Sequence, residues 1–88
     1  MYVIIQHQIH DPQSFQACAE KAFPLPDDLT VHFFLPARDF SHATCLYEAP
    51  SLERVREFVD GLLGASCTNT YHAVAAEHAM GLPETQAA

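Results

Sequence analysis

The chain has 88 residues, of which 49% are apolar, and carries four lysines and arginines against eleven aspartates and glutamates. That length allows one domain with a small core, and six phenylalanines with three tyrosines give a folded rather than a disordered composition. A formal net charge of −7 with no basic cluster excludes nucleic acid and anionic membrane as partners.

The N-terminus has no basic and apolar export signal, and the longest apolar run, Tyr2 to Ile5, is far too short to span a bilayer, so the expectation is a cytoplasmic protein. Cys18, Cys45 and Cys67 form no CxxC pair and are odd in number, which points to reduced thiols rather than a disulfide framework. Six histidines are the compositional feature that stands out.

Tyr2 to Ile9 reads as the first strand, with Val3, Ile5 and His7 on one face; Tyr2, Ile4, Gln6 and Gln8 are almost as good an inward set. Asp11-Pro12 then supplies an N-cap carboxylate and a proline at the first helical position, where its missing N–H costs nothing. Phe15, Cys18, Ala19, Ala22 and Phe23 form the apolar stripe of that helix, which Pro24-Leu25-Pro26 ends. Leu29 to Leu35 is a second strand, and Pro36 to Ser41 a turn into a third, His42 to Glu48.

Pro50-Ser51 opens a second helix with Ser51 as N-cap and Val55, Phe58, Val59, Leu62 and Leu63 as its stripe. Asn69 to Ala76 is a weaker fourth strand, followed by a short element over Glu77 to Leu82. One domain over residues 1–82 with a loose tail over 83–88 is expected.

The order β-α-β-β-α-β belongs to the α+β class. It is the split βαβ arrangement, a four-stranded antiparallel sheet carrying both helices on one face. The bare face is expected to pack against a second copy, making a homodimer. Parity in the middle strands assigns Val31, Phe33, Leu35, Thr44, Leu46 and Glu48 to the helix side, and Thr30, His32, Phe34, Ala43, Cys45 and Tyr47 to the partner side. Pairing Phe34 with Ala43 sets His32 opposite Cys45, on a shared face. An imidazole beside a thiol is a pair of borderline-soft metal ligands or a polarised nucleophile pair. With the first strand central in the sheet, His7 projects into the same space.

The run Cys45-Leu46-Tyr47-Glu48-Ala49-Pro50-Ser51, followed by Val55-Arg56-Glu57 and preceded by a strand histidine, resembles small ferredoxin-like proteins of the nickel-binding DUF4242 type. More broadly it resembles the dimeric α/β-barrel superfamily. The similarity covers Val31 to Glu57. It implies a dimer with a transition metal, Ni, Cu or Zn, on the inner sheet face, with His32 and Cys45 as ligands. His7 is a candidate third ligand on its strand position.

Against that stands the plainer reading of a half-buried histidine beside an inert thiol. An enzyme of the same superfamily is the rival, acting on a small, largely apolar organic molecule held between sheet and helices. His7 or His32 would be its general base and Tyr47 or Tyr71 would orient a substrate oxygen, with Phe34 also at the ligand pocket. A structural or regulatory dimer is the third possibility. Glu48 and His42 read as solvated, Asp11 as a helix cap, and Cys18 and Cys67 as inert. No GxGxxG, P-loop or GxSxG pattern occurs, so no nucleotide cofactor is expected.

Overall fold

Six regular elements follow one another as β1 (Tyr2–Ile9), α1 (Pro12–Glu20), β2 (Thr30–Pro36), β3 (His42–Glu48), α2 (Leu52–Leu63) and β4 (Cys67–Ala73). Short 3₁₀ turns lie at Gly64–Ser66 and Ala76–His78. This is a computed structural model that describes residues 1–83. Apart from Pro83, the tail expected over 83–88 lies outside the described residues. None of the described helices is long and apolar enough to cross a membrane.

Both helices start where their caps dictate. The Asp11 carboxylate accepts from the Ser14 backbone N–H at 3.1 Å, and the Ser51 hydroxyl accepts from the Arg54 N–H at 3.1 Å, each satisfying a donor that the first turn leaves unpaired. On α2, Val55, Val59 and Leu63 recur every fourth residue and are buried, so one stripe faces the sheet. Gly64, at φ 55°, ends the helix in a backbone conformation that disfavours other residues.

The four strands form one antiparallel sheet in the order β2-β3-β1-β4, an α+β architecture compatible with a ferredoxin-like fold. Val3, Ile5, His7 and Ile9 of β1 are buried together with Ala43, Cys45 and Tyr47 of β3, and with Phe15, Val55, Val59 and Leu63 from the helices. This is the helix side of the sheet. Each fully buried valine, leucine or phenylalanine side chain here contributes about 1.5–3 kcal/mol.

The face assignment expected for β3, and for Phe33, Phe34 and Leu35 of β2, is therefore inverted, while Val31 keeps its expected helix side. Cys45 and Tyr47 point at the helices, whereas Leu46, Thr44 and Glu48 lie on the other face. The ladder pairs Phe34 with Cys45 and Pro36 with Ala43, not Phe34 with Ala43, because the β2–β3 turn is tighter than expected. A register irregularity between Val31 and Phe33 then takes His32 out of the ladder. Such a bulge lets two residues of one strand oppose one of the other. It leaves Val31 and Phe34 on the helix side and turns Phe33 and Leu35, 42% and 61% exposed, away from it. His32 does not oppose Cys45.

The tight turn itself is closed by the Ala37 N–H on the His42 carbonyl at 2.7 Å and the Phe40 N–H on the Ala37 carbonyl at 2.9 Å. β4 begins two residues earlier than the sequence suggested and ends at Ala73. Beyond it the chain returns toward the open face, where the Tyr2 hydroxyl donates to the Pro83 carbonyl at 3.1 Å.

Candidate ligand pocket and its polar floor

β1 and β3 are neighbours with His7 opposite Ala43 and Ile5 opposite Cys45, so the His7 ring lies diagonally beside the Cys45 thiol on the helix side. His7 Nε2 is 3.3 Å from Cys45 Sγ in a buried contact. On the other flank β4 sets Asn69 opposite His7, and Asn69 Oδ1 is 2.6 Å from His7 Nδ1. Asn69 Nδ2 donates to Asp60 Oδ1 of α2 at 3.1 Å, and the Tyr71 hydroxyl donates to the same oxygen.

These contacts fix the histidine tautomer from outside inward. An ionised carboxylate only accepts, so the Asn69 amide N–H₂ must face Asp60 and its carbonyl must face His7. His7 then carries its proton on Nδ1 and donates it to Asn69, which leaves the Nε2 lone pair to accept from the Cys45 thiol. Asn69 Oδ1 also accepts from Cys67 Sγ at 3.1 Å.

Burial favours the neutral forms of His7, Cys45 and Tyr47. Desolvation lowers the His7 pKa below 6.5, only partly offset by the Asn69 hydrogen bond. It pushes the Cys45 thiol up to about 12, with Cys67 adding to the shift. The Tyr47 hydroxyl is likewise pushed up to about 12, by burial and then by Cys45. A low-dielectric site disfavours each charged form.

His7, Cys45 and Tyr47 line a pocket of about 200 Å³ between the sheet and the helices whose surface is almost wholly apolar. Its remaining lining is apolar and includes Phe15, Phe34, Val31, Val59 and Leu62. Phe23 and Phe34 belong to the lining and are 65% and 44% exposed, so the pocket reaches the surface near the β2 edge. Phe15 stands between the two halves, edge-on to His7 at 5.4 Å between ring centroids and stacked on Phe34 at 6.1 Å.

The site residues named from sequence divide between the two faces. His7, Cys45, Tyr47 and Phe34 meet at the pocket. Tyr71 shares their face of the sheet at its β4 edge, held by Asp60 with Arg56 5.4 Å above its ring, and does not line the pocket. His32 lies outside the pocket lining, where its Nε2 is 3.0 Å from Glu48 Oε1 and its ring 5.7 Å from the ring of Tyr2.

As a metal-ligand set, His32, Cys45 and His7 do not converge within one chain. His7 and Cys45 supply two donors, and among the described residues no three histidine, cysteine, aspartate or glutamate side chains are grouped to hold a metal ion. Asn69 and Asp60 were not singled out from sequence. The signal was present only indirectly, in the strand order that sets the fourth strand beside the first, since no local pattern sets the register that aligns Asn69 with His7. No family model, curated protein or solved structure matches the chain.

Proposed function

We propose that this domain binds a compact, largely apolar organic molecule between its helices and its sheet, with His7 as general base and Tyr47 holding an oxygen of the ligand. The observation that carries this reading is the pocket of about 200 Å³ with a neutral, tautomer-fixed imidazole in its wall. That volume exceeds the roughly 150 Å³ cavity that accommodates benzene and falls below the ~300 Å³ at which drug-sized sites begin. The ligand class is therefore a single substituted ring or its aliphatic equivalent. A neutral histidine whose pKa lies below 6.5 is already in its basic form at pH 7.

The reading fits the dimeric α/β-barrel resemblance and includes the ferredoxin-like dimer expected with it. Two copies would pack through the open face, where Phe33 and Leu35 stand exposed. The pocket lies within one chain and does not require that contact. Light scattering at micromolar concentration tests the dimer, and a clean monomer removes it without touching the pocket.

The pocket is tested by thermal shift and NMR titration of metal-free protein with phenols, quinones and cyclic ketones. Saturable binding that weakens in Tyr47→Phe for oxygen-bearing ligands, and not for hydrocarbons of the same size, is expected. No saturable binding by any of them overturns the reading. Calorimetric titration with Ni²⁺, Cu²⁺ and Zn²⁺ addresses the nickel-type alternative, for which His7 and Cys45 are the two donors in contact. A stoichiometric site lost in Cys45→Ser would favour metal over organic ligand.

A further inference from the structure

Cys45, His7 and Asn69 stand in the order thiol, imidazole, amide, with each group oriented by the next. Cys45 Sγ is 3.3 Å from His7 Nε2, and His7 Nδ1 is 2.6 Å from Asn69 Oδ1. The amide is held in turn by Asp60 at 3.1 Å. This is the arrangement by which a histidine removes a proton from a nucleophile while a third group keeps it in the correct tautomer.

A second observation concerns Tyr47. It is two residues from Cys45 on the same face of β3, about 6.6 Å along the strand. It is buried, at 6% exposure, and lines the pocket. Burial holds its hydroxyl pKa up at about 12, so at neutral pH it stands in the pocket wall as a donor suited to a ligand's carbonyl oxygen.

We propose that Cys45 is a nucleophile that adds to small α,β-unsaturated carbonyl compounds, with His7 taking the thiol proton and Tyr47 donating a hydrogen bond to the carbonyl oxygen. The inference deepens the pocket reading above and rests on it. The apolar lining excludes charged electrophiles and admits a cyclic enone or quinone.

In the step, the Sγ–Cβ bond forms as the alkene π pair shifts to make an enolate, whose oxygen accepts from Tyr47. The thiol proton passes to His7 Nε2 and then to the α-carbon, where a C–H bond forms and the carbonyl is restored. The sum is an addition that consumes no oxidant or reductant. Proton transfer accompanies bond formation, because burial holds the Cys45 thiol up at about 12 and leaves no standing thiolate at neutral pH.

The groups able to influence His7 are Cys45 and Tyr47 on β3, Cys67 on β4, Asp60 on α2 behind Asn69, and Cys18 on α1, the helix that also presents Phe15 to the ring. None is a fixed cation, so nothing beside His7 holds a thiolate in place. General-base assistance therefore predicts a rate that rises through the lowered His7 pKa and levels off before pH 7. A bare thiolate reaction would instead keep rising about tenfold per pH unit toward the thiol pKa.

The test incubates the protein with 2-cyclohexenone and, separately, with the saturated cyclohexanone, reading intact mass, peptide maps and the rate of adduct formation. A single +96 Da adduct (about the mass of the enone) at Cys45 is expected, formed with saturable kinetics. It should be absent in Cys45→Ser, retained in Cys18→Ser and slowed about 10²-fold in folded His7→Gln.

Circular dichroism and cyclohexanone binding verify that each variant is folded with its pocket intact. Cyclohexanone binding without a Cys45 adduct overturns the nucleophile and leaves the pocket reading standing. Neither binding nor adduct overturns both. Modification at Cys18 alone, or a rate that climbs with pH beyond 8 with no plateau, overturns the base-assisted step.

Discussion

Two histidines on two faces of one sheet show what burial decides. His7 is 3% exposed, wedged between the Cys45 thiol and the Asn69 amide under Phe15, and its surroundings favour the neutral ring. His32 sits at the β2 irregularity with 19% of its side chain exposed and a carboxylate partner, Glu48, at 3.0 Å. The same side chain is thus a proton acceptor walled off from water on one face and half of a solvent-screened pair on the other. The helices make the difference, since they cover one face and leave part of the other to solvent.

The largest effect that sharpens this contrast comes from the apolar group over His7. Phe15 is almost fully buried, and Phe15→Ala should lower unfolding free energy by about 3–5 kcal/mol in urea denaturation. Phe33→Ala on the open face should cost much less in a monomer and act instead on any concentration dependence of the melting temperature. Equal losses at the two positions would break the distinction between the faces.

Asn69→Ala comes next. It leaves the His7 Nδ1–H buried without its acceptor, with an expected loss of about 1–3 kcal/mol. Tautomer-sensitive nitrogen chemical shifts of His7 should also lose the single Nδ1–H pattern. An unchanged imidazole spectrum would mean that Asn69 does not set the tautomer.

The pH response follows with its sign fixed by burial. The His7 pKa in the folded chain lies below the ordinary 6.5, so as pH falls through 6.5 the unfolded chain takes up a proton that the folded chain refuses. Stability present at pH 7 should decline through that window, and His7→Gln should flatten the decline. Cys45 acts in the opposite direction. Its raised pKa means that stability is lost as pH climbs from about 9 toward 12, the unfolded thiol ionising first.

His32→Gln is the smallest change. The His32–Glu48 pair is partly exposed, and such pairs contribute about 0–1 kcal/mol. A melting temperature within a few degrees of the parent is expected, and an effect as large as that of Asn69→Ala would place His32 in the same class as His7.

Much of the local structure was legible in the residues. The Asp11-Pro12 and Ser51 caps announce both helices, the bounds of β1 and β3 follow from their composition, and Val3, Ile5 and His7 share a face as their alternation implies. The meeting of His7 with Cys45 was visible once the first strand was set beside the third. These features depend on the two-residue period of a strand and on the chemistry of a helix terminus, both of which a sequence carries locally.

Which face of the sheet meets the helices was decided only in three dimensions. Alternation divides a strand into two sets but does not say which is inside when both contain apolar residues, as Phe33 and Leu35 oppose Val31 and Phe34. One displaced residue at His32 and a tighter turn after Pro36 settled it, removing His32 from Cys45 and leaving Cys45 with His7. The Asn69 and Asp60 contacts are likewise products of the β1–β4 register and of how α2 lies on β4. They join residues 62 and 9 positions apart in the chain. No local pattern encodes such a contact, because its geometry exists only after the sheet has closed around it.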